Sequence, residues 1–356
     1  MVSIPDADSI EVAWLNTCLQ EHGYTGEVVD YTSAPVGSGQ VGKCLRLNLS
    51  YRGAHTGPES LVAKFASDDP SSQATGVMLL NYWREVRFYQ DMQHRLPIRT
   101  PQCLYAEIEG QGPRFCLLME DLAPAQQGNQ LDGCSAQYAQ AAVQQLVGLH
   151  APFWNDPSLR EIDWIVGNAD PSENATHALY QAQLAGFMDR YGPKLEADER
   201  MIIERIAHAV NSPFMPPQGD EPFSLVHVDY RLDNMMFLET EGKVQVTVVD
   251  WQSITIGAPL NDVAYFLGAG LLPQDRGAAE AEIVRNYHEG LLQQEVEVAW
   301  DACWQGYRRG SFAGIAMAVI ASMIVEQTER GDAMFTVMAT RHARHAIDLG
   351  AAEFLD

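Results

Sequence analysis

Apolar and polar residues alternate in short runs up to about Leu122, and longer helical patterns follow. The runs EVVDY, CLRLNLSY, LVAKF and FCLLME lie in this first part, and such runs are typical of strands. We expect them to form one antiparallel sheet. One helical segment, GVMLLNYWREVRFYQDMQ, interrupts them, because its apolar residues recur every three or four positions.

The remainder of the chain is mostly helical in pattern. After the polar linker APAQQGNQ, helical patterns cover residues 137–150, 178–191, 198–210, 278–293 and a C-terminal series, with the strand runs SLVHV and KVQVTVVDW among them. The sequence therefore predicts an α+β protein with two lobes. Residues 1–122 form a small antiparallel-sheet lobe with one helix, and residues 123–356 form a larger, mostly helical lobe.

Charge and hydropathy exclude several classes of partner. The chain has 23 Lys+Arg against 47 Asp+Glu and a net charge of −24, whereas bulk-charge binding of nucleic acid needs basic stripes. The N-terminus has no leader pattern, and the most apolar stretch, 312–325, is shorter than the roughly 20 residues that cross a bilayer. We expect a buried helix there, no nucleic-acid or membrane partner, and a cytoplasmic protein.

A glycine-rich segment, GSGQVGKC, begins at Gly37. It matches both the dinucleotide fingerprint and the phosphate-binding loop, but each of these needs a helix directly afterwards. Here Leu45, Leu47 and Leu49 alternate as in a strand, and Cys44 replaces the hydroxyl residue that would ligate magnesium. Two interpretations remain: a strand–loop–strand unit of the kind that covers ATP phosphates in kinases, or an ordinary glycine-rich hairpin. The candidate nucleotide-binding residues in this segment are Gly37, Ser38, Gly39 and Gly42.

Two charged residues occupy apolar surroundings. Lys64 lies within the strand LVAKF, and Glu85 lies on the apolar face of the following helix. Each is costly to bury alone, so an ion pair between them explains both, and kinases use such a pair to orient lysine toward phosphates. The alternative is that Lys64 reaches solvent and Glu85 pairs with Arg84 or Arg87. The other members of the helix face are Met78, Tyr82, Tyr89 and Met92.

The segments LVHVDYRLDN and VTVVDW carry the strongest chemical signal. Two strands end in Asp229 and Asp250, and Asn234 follows the first by five residues. Carboxylate and amide oxygens suit Mg²⁺, and Asp229 would accept or orient the proton of an attacking hydroxyl. Arg231 can hold the moving phosphoryl group through its fork of donors. Asp233 competes with Asn234 as a ligand but ranks lower, because Asn234 has the right offset from Asp229. His227 is expected to tether the loop.

These motifs together resemble the aminoglycoside phosphotransferase and choline kinase superfamily, and most closely its ecdysteroid-kinase-like group. The resemblance runs from the glycine loop through MEDLA, HVDYRLDN and VVDWQ to GAPLNDVAYFLG. It implies a protein-kinase-like fold, use of ATP and Mg²⁺, and a small hydroxylated acceptor. It also implies a catalytic base, two magnesium ligands, a nucleotide clamp and an adenine-binding strand end. The implied base is Asp229, and the implied magnesium ligands are Asn234 and Asp250. Lys64 and Glu85 would form the clamp. Backbone groups of the strand end would bind adenine, at Met119, Glu120, Asp121 and Leu122.

Two departures from the family pattern are small: Val228 stands where glycine is common, and Trp251 and Gln252 follow Asp250. GAPLNDVAYF follows so soon that no long peptide platform fits, and Asn261 or Asp262 is expected to cap a helix there.

A small alcohol is therefore the expected acceptor, and the negative net charge is compatible with a cationic one. Trp304 and Tyr307 are candidates for lining its pocket, although aromatic residues at helical spacing are more often core. His342 and His345 form a possible metal pair, but a solvated helix face is the favoured interpretation. The predicted function is ATP- and Mg-dependent O-phosphotransfer, and the alternative is a nucleotide-binding pseudokinase that serves as an interaction module.

Overall fold

The computed structural model describes residues 3–37, 42–166 and 174–356. The chain divides into two compact units. The first contains Met1–Arg95, Thr100–Pro124 and Val249–Ser253, and the second contains Leu96–Arg99, Ala125–Val248 and Ile254–Asp356.

The first unit is built on an antiparallel sheet. Its elements are α1 (Val12–Glu21), β1 (Glu27–Pro35), β2 (Gly42–Arg52), β3 (Ser60–Ala66), α2 (Pro70–Met78), α3 (Asn81–Arg87), β4 (Cys103–Ile108) and β5 (Phe115–Glu120). The strand order is β1-β2-β3-β5-β4. One face of this sheet packs with α1 into a core that contains Trp14, Leu47 and Leu118, because alternate strand residues point to the same side.

The second unit is mostly helical. Its strands are β6 (Gln126–Gln127), β7 (Ser224–Val226), β8 (Met235–Thr240), β9 (Lys243–Val248) and β10 (Thr255–Gly257). Its helices are α4 (Ala136–His150), α5 (Asp163–Val166), α6 (Ala175–Tyr191), α7 (Ala197–Ala207), α8 (Pro259–Gly270), α9 (Pro273–Gln293), α10 (Trp300–Gly310), α11 (Phe312–Ile324) and α12 (Glu329–Asp348). The predicted α+β class, with an antiparallel sheet first and a larger helical part after it, is confirmed.

The predicted single helix of the first part is wrong in detail. Asp69 caps α2 with its carboxylate, and Leu80 then takes a left-handed conformation at φ +59°, so the chain turns before α3 begins. Met78 is consequently exposed (69%) and does not belong to the buried face. A π-helical turn, Phe88–Met92, continues α3.

The helices include the expected buried one but lack an expected cap. The apolar stretch at residues 312–325 forms the mostly buried helix α11, as expected. Within the described part of the chain, none of the helices has both the length and the apolar composition needed to cross a membrane. Neither Asn261 nor Asp262 caps α8, because that helix begins at Pro259 and both residues lie inside its first turn.

Candidate active site

Lys64 lies between two carboxylates of the first unit. Its Nζ donates to Glu85 Oε1 at 2.7 Å and to Asp250 Oδ1 at 3.0 Å. The side chains of Lys64 and Glu85 are 12% and 2% exposed, so each charge needs the other as a partner. The predicted ion pair is present, and the alternative in which Glu85 pairs with a neighbouring arginine is wrong.

Segment Val249–Ser253 brings Asp250 to this cluster. The Trp251 ring stacks on Phe88, with centroids 4.0 Å apart, and Asn81 Nδ2 donates to the backbone carbonyl of Gln252 at 3.2 Å. Asp250 itself adopts a left-handed backbone at φ +66°, which aspartate tolerates better than most residues. These contacts fix a carboxylate 186 positions from Lys64 within hydrogen-bond distance of it.

The electrostatics keep Lys64 protonated. Burial lowers the pKa of Lys64, but the charges of Asp250 and Glu85 outweigh it and raise the pKa above its ordinary value. Burial raises the pKa of Glu85, while the Lys64 ammonium and the backbone amide of Trp251 oppose that rise. Lys64 is therefore a charged ammonium that its two carboxylate partners hold in position.

The glycine loop is described in part. Gly37 has a φ of +80°, which glycine adopts without steric cost. Gly42 pairs with Ala66 across β2 and β3, and a Cβ atom there would lie 2.9 Å from Lys64 Cε. Glycine at this position therefore gives the Lys64 side chain room to pass. The predicted residues Ser38 and Gly39 lie outside the described residues.

The end of β5 is anchored by side chains. Val62 and Cys103 pair with Met119 from either side, and the Glu120 amide donates to the carbonyl of Gln102 at 2.8 Å. Asp121 accepts hydrogen bonds from Arg46, Ser60 and the Ala123 amide. Burial raises the pKa of Asp121, but the bonds from Arg46 and Ser60 lower it overall. The Asp121 side chain thus fixes this strand end, and adenine binding here stays a prediction.

Asp229 lies at the centre of a second cluster, in the second unit. Its Oδ1 accepts from the Tyr265 hydroxyl at 2.8 Å and from Arg231 Nε at 2.9 Å, and its Oδ2 accepts from Asn234 Nδ2 at 2.9 Å. Burial raises the pKa of Asp229, but the Arg231 charge and the Tyr265 hydrogen bond lower it below the ordinary value. The carboxylate is therefore ionised at neutral pH.

Arg231 bridges two carboxylates. Besides Asp229, it contacts Asp233 Oδ2 through Nη1 at 2.6 Å. Asp233 also accepts from the Gln130 amide at 3.0 Å and from Arg330 at 3.3 Å. The Asp233 carboxylate thus has a structural function. The choice between Asn234 and Asp233 as metal ligand stays a prediction, and so does contact of Arg231 with a phosphoryl group.

The backbone before Asp229 is held by Asp262 of α8. The Asp262 carboxylate accepts from the amides of His227 and Val228 at 2.7 and 2.9 Å, and it lies 3.3 Å from His150 Nε2. Val228 has a φ of +72°, the left-handed form in which a β-branched residue is strained. Asp262 therefore stabilises at Val228 a conformation that glycine adopts without strain.

Sequence reasoning missed Tyr265 and the function of Asp262, since both lie in a helix whose pattern is mainly apolar. It was wrong about the histidines: His342 and His345 are fully buried rather than solvated. Tyr307 is also fully buried and bonds to Glu280 and His345. It is a core residue, not the lining of an open pocket.

Six of the predicted site residues thus fall into two groups. Lys64, Glu85 and Asp250 come together in the first unit. Asp229, Arg231 and Asn234 come together in the second.

Sequence comparison places the chain in a class of phosphotransferases. The sequence model of the phosphotransferase enzyme family (APH) matches residues 47–302. The chain belongs to this family, and the predicted enzyme class is confirmed.

Curated relatives match over a short segment. Acyl-CoA dehydrogenase family member 11 of Gallus gallus is 47% identical over 51 residues, which are 14% of this chain and 6% of that protein. The human protein of the same name is 46% identical over 50 residues, again 6% of its length. The chain therefore matches only a small part of the length of these relatives.

Solved structures match over most of the chain. A microcompartment-associated aminopropanol kinase has a TM-score of 0.55 at 13% identity and covers 96% of this chain and 99% of its own. Choline kinase from Cryptosporidium parvum has a TM-score of 0.54 at 10% identity, covering 90% and 89%. Plasmodium vivax ethanolamine kinase has a TM-score of 0.52 at 10% identity, covering 87% and 81%. The predicted kinase-like fold is confirmed.

Proposed function

We propose that this protein transfers the γ-phosphate of ATP, with Mg²⁺, to a hydroxyl group of a small molecule. The observation that carries the proposal is Lys64, a buried cation held between Glu85 and Asp250 in a chain of the phosphotransferase family. In kinases a lysine paired with a helix glutamate orients the α- and β-phosphates. A fixed ammonium with two anionic partners serves that purpose, because it presents its charge at one point.

Nucleotide binding would involve three parts of the first unit. Lys64 attracts the phosphates, Gly37 and Gly42 belong to the loop that covers them, and backbone groups of Met119–Asp121 meet the edge of adenine. Asp121 supports this arrangement because Arg46 and Ser60 hold its side chain and leave the strand end rigid.

Asn234 and Asp250 are suitable magnesium ligands. Asn234 donates two hydrogen bonds through Nδ2, to the carbonyl and carboxylate of Asp229, so its amide oxygen remains as a metal donor. The Asp250 side chain is 26% exposed, and oxygen donors of these two kinds suit Mg²⁺. When bound, the ion would neutralise charge on the β- and γ-phosphates.

Asp229 would orient the acceptor hydroxyl. Because its pKa is lowered, its main contribution is to accept a hydrogen bond that aligns the hydroxyl oxygen with the γ-phosphorus. The new bond forms between that oxygen and phosphorus while the bond from phosphorus to the bridging oxygen of ADP breaks. The hydroxyl proton passes along the hydrogen bond to Asp229 and then to solvent.

A small acceptor is favoured over a polypeptide. Helix α8 begins at Pro259, soon after Asp250, which leaves no long segment to serve as a peptide platform. The structural neighbours named above are kinases of aminopropanol, choline and ethanolamine. These names, together with the net charge of −24, favour a cationic amino alcohol as the first class to examine.

The test is an acceptor screen that follows ADP release. The panel contains amino alcohols, aminoglycosides and sterol alcohols, together with hydroxylated acyl-CoA esters because of the names of the curated relatives. Thermal shift with ATP and Mg²⁺ is measured in parallel. We expect a rise in melting temperature with the nucleotide, and acceptor-dependent turnover that Asp229→Asn lowers by about 10²- to 10⁴-fold, the usual contribution of a positioned base.

Two outcomes would contradict the proposal. Nucleotide binding without turnover on any acceptor would favour a pseudokinase. Phosphate transfer to peptide mixtures in preference to every alcohol would favour a protein kinase.

A further inference from the structure

Tyr265 provides a contact to Asp229 from outside the loop that carries it. Tyr265 lies on α8, is 2% exposed, and donates its hydroxyl to Asp229 Oδ1 at 2.8 Å. The other side-chain donors described above, Arg231 and Asn234, belong to the same loop as Asp229. They fix the carboxylate relative to its own loop, whereas Tyr265 fixes it relative to a buried helix.

The hydrogen bonds leave little freedom to the carboxylate. A carboxylate offers about four lone-pair directions, and three hydrogens approach Asp229, from Tyr265, Arg231 Nε and Asn234 Nδ2. Arg231 Nε lies 2.9 Å from Oδ1 and 3.1 Å from Oδ2, so its hydrogen is shared. Each oxygen therefore has two contacts, and together they restrict rotation of the carboxylate. Removal of the Tyr265 hydroxyl would free one direction on Oδ1 and allow the carboxylate to turn.

The ring of Tyr265 is itself fixed by the helices around it. It stacks on His342 of α12, with centroids 5.3 Å apart and planes 4° from parallel. A side chain on Gly268 or Gly314 would overlap the His342 ring, so two glycines on neighbouring helices make the space for it. Burial lowers the pKa of His342 well below its ordinary value, and a neutral ring therefore supports Tyr265.

Helix α8 contacts the loop at two points. Asp262, one turn before Tyr265, holds the amides of His227 and Val228, and Tyr265 holds the carboxylate of Asp229. Residues three apart on a helix lie on one face. The same helix face thus fixes both the backbone and the reactive side chain.

We propose that Tyr265 is a positioning residue for phosphotransfer: its hydroxyl fixes the Asp229 carboxylate in the orientation that receives the acceptor hydroxyl. This inference rests on the proposed function. It predicts that loss of the Tyr265 hydroxyl lowers kcat, an effect that a buried tyrosine with only a structural function would not have. Nucleotide binding, in contrast, is expected to be independent of it.

The first test compares Tyr265→Phe with Tyr180→Phe. Tyr180 is a matched control, because it is fully buried in the same unit and its hydroxyl donates to the carbonyl of Ile203 at 2.8 Å. Both variants lose one buried hydrogen bond, and urea unfolding of each measures the stability that is lost. Tyr265→Phe should lower kcat by about 10- to 100-fold with KM for ATP unchanged, because a small misplacement of a reacting group has effects of that size. Tyr180→Phe should leave kcat unchanged.

A double-mutant cycle then tests whether Tyr265 acts through Asp229. In the Asp229→Asn background, Tyr265→Phe should cause no further loss of kcat. A full additional loss would overturn the inference. Equal losses of kcat in Tyr265→Phe and Tyr180→Phe would overturn it as well, because general destabilisation would then explain both.

A readout without turnover separates this inference from the proposed function. The ¹³Cγ resonance of Asp229, assigned by its disappearance in Asp229→Asn, should shift in Tyr265→Phe and stay in place in Tyr180→Phe. A shift in an enzyme that phosphorylates no alcohol would uphold the contact and reject the function. Alcohol phosphorylation with no shift and no change in kcat would uphold the function and reject the positioning role.

Discussion

Lys64 and Arg231 are both cations between two carboxylates, but they are assembled differently. The partners of Lys64 are Glu85 and Asp250, which are 21 and 186 positions away. Both carboxylates that contact Arg231 are two positions away in its own loop. The first cluster therefore forms only when distant segments fold together, whereas chain geometry already brings the second together.

This difference determines what each cluster depends on. Glu85 is almost fully buried and has Lys64 as its cationic partner, so the first cluster is sensitive to loss of one group. The second cluster, around Arg231 and Asp229, has additional donors from the surrounding helices. We expect the first cluster to limit stability and nucleotide binding, and the second to limit turnover.

The largest expected effect on stability follows Lys64→Met. The change leaves two carboxylates near each other without a cation, and breaking a buried pair from one side costs about 3–5 kcal/mol. The free energy of unfolding, measured with urea, should fall by that amount. Lys243→Met is the control, because Lys243 is exposed on β9. Similar losses in both variants would show that Lys64 has no special dependence on Glu85 and Asp250.

A smaller loss of stability is expected for Arg231→Met, about 1–3 kcal/mol. Asp229 and Asp233 keep other donors, which are Tyr265, Asn234, Arg330 and the Gln130 amide. Urea unfolding measures this effect, and titration with ADP should give an affinity close to that of the wild type. A destabilisation as large as that of Lys64→Met would contradict the claim that the second cluster depends less on its cation than the first.

A third effect concerns how stability depends on pH through the two buried histidines of α12, His342 and His345. Burial lowers the pKa of His342 and of His345, so the folded state binds fewer protons than the unfolded state below the ordinary histidine pKa of about 6.5. The free energy of unfolding is therefore highest above the ordinary histidine pKa, and it falls as the pH drops below that value, because unfolding then lets both rings take up protons. The loss is about 1.4 kcal/mol per pH unit for each histidine.

Urea unfolding between about pH 7.5 and pH 5 checks this slope against the ordinary histidine pKa. His342→Gln should reduce the slope, and His208→Gln, at an exposed position, should not. An unchanged slope in His342→Gln would mean that His342 is protonated in the folded protein.

The local part of the site was predictable from sequence, because spacing alone constrains it. Asn234 follows Asp229 by five residues, and its amide does contact that carboxylate. The pairing of Lys64 with Glu85 was also predictable, since two charges in apolar surroundings require partners. The strands around Lys64 were predictable as well, because the alternation of apolar and polar residues shows which face of a strand is buried.

The contacts that depend on tertiary packing were not predictable. Tyr265 and Asp262 lie in a helix that is almost wholly buried, where one more aromatic or polar residue carries no distinctive period. His342 and His345 have the spacing of a surface pair, and only the two glycines that admit the His342 ring explain its burial. The break between α2 and α3 depends on the left-handed Leu80, a conformation that leucine rarely adopts.

The most direct test of the account measures nucleotide affinity and turnover together in Lys64→Met and Asp229→Asn. Calorimetric titration with ATP and Mg²⁺ gives the affinity, and ADP release with an acceptor from the screen gives kcat. Lys64→Met should weaken nucleotide binding, whereas Asp229→Asn should bind the nucleotide as the wild type does and lose turnover. Wild-type turnover in Asp229→Asn, or an equal loss of nucleotide affinity in both variants, would contradict the account.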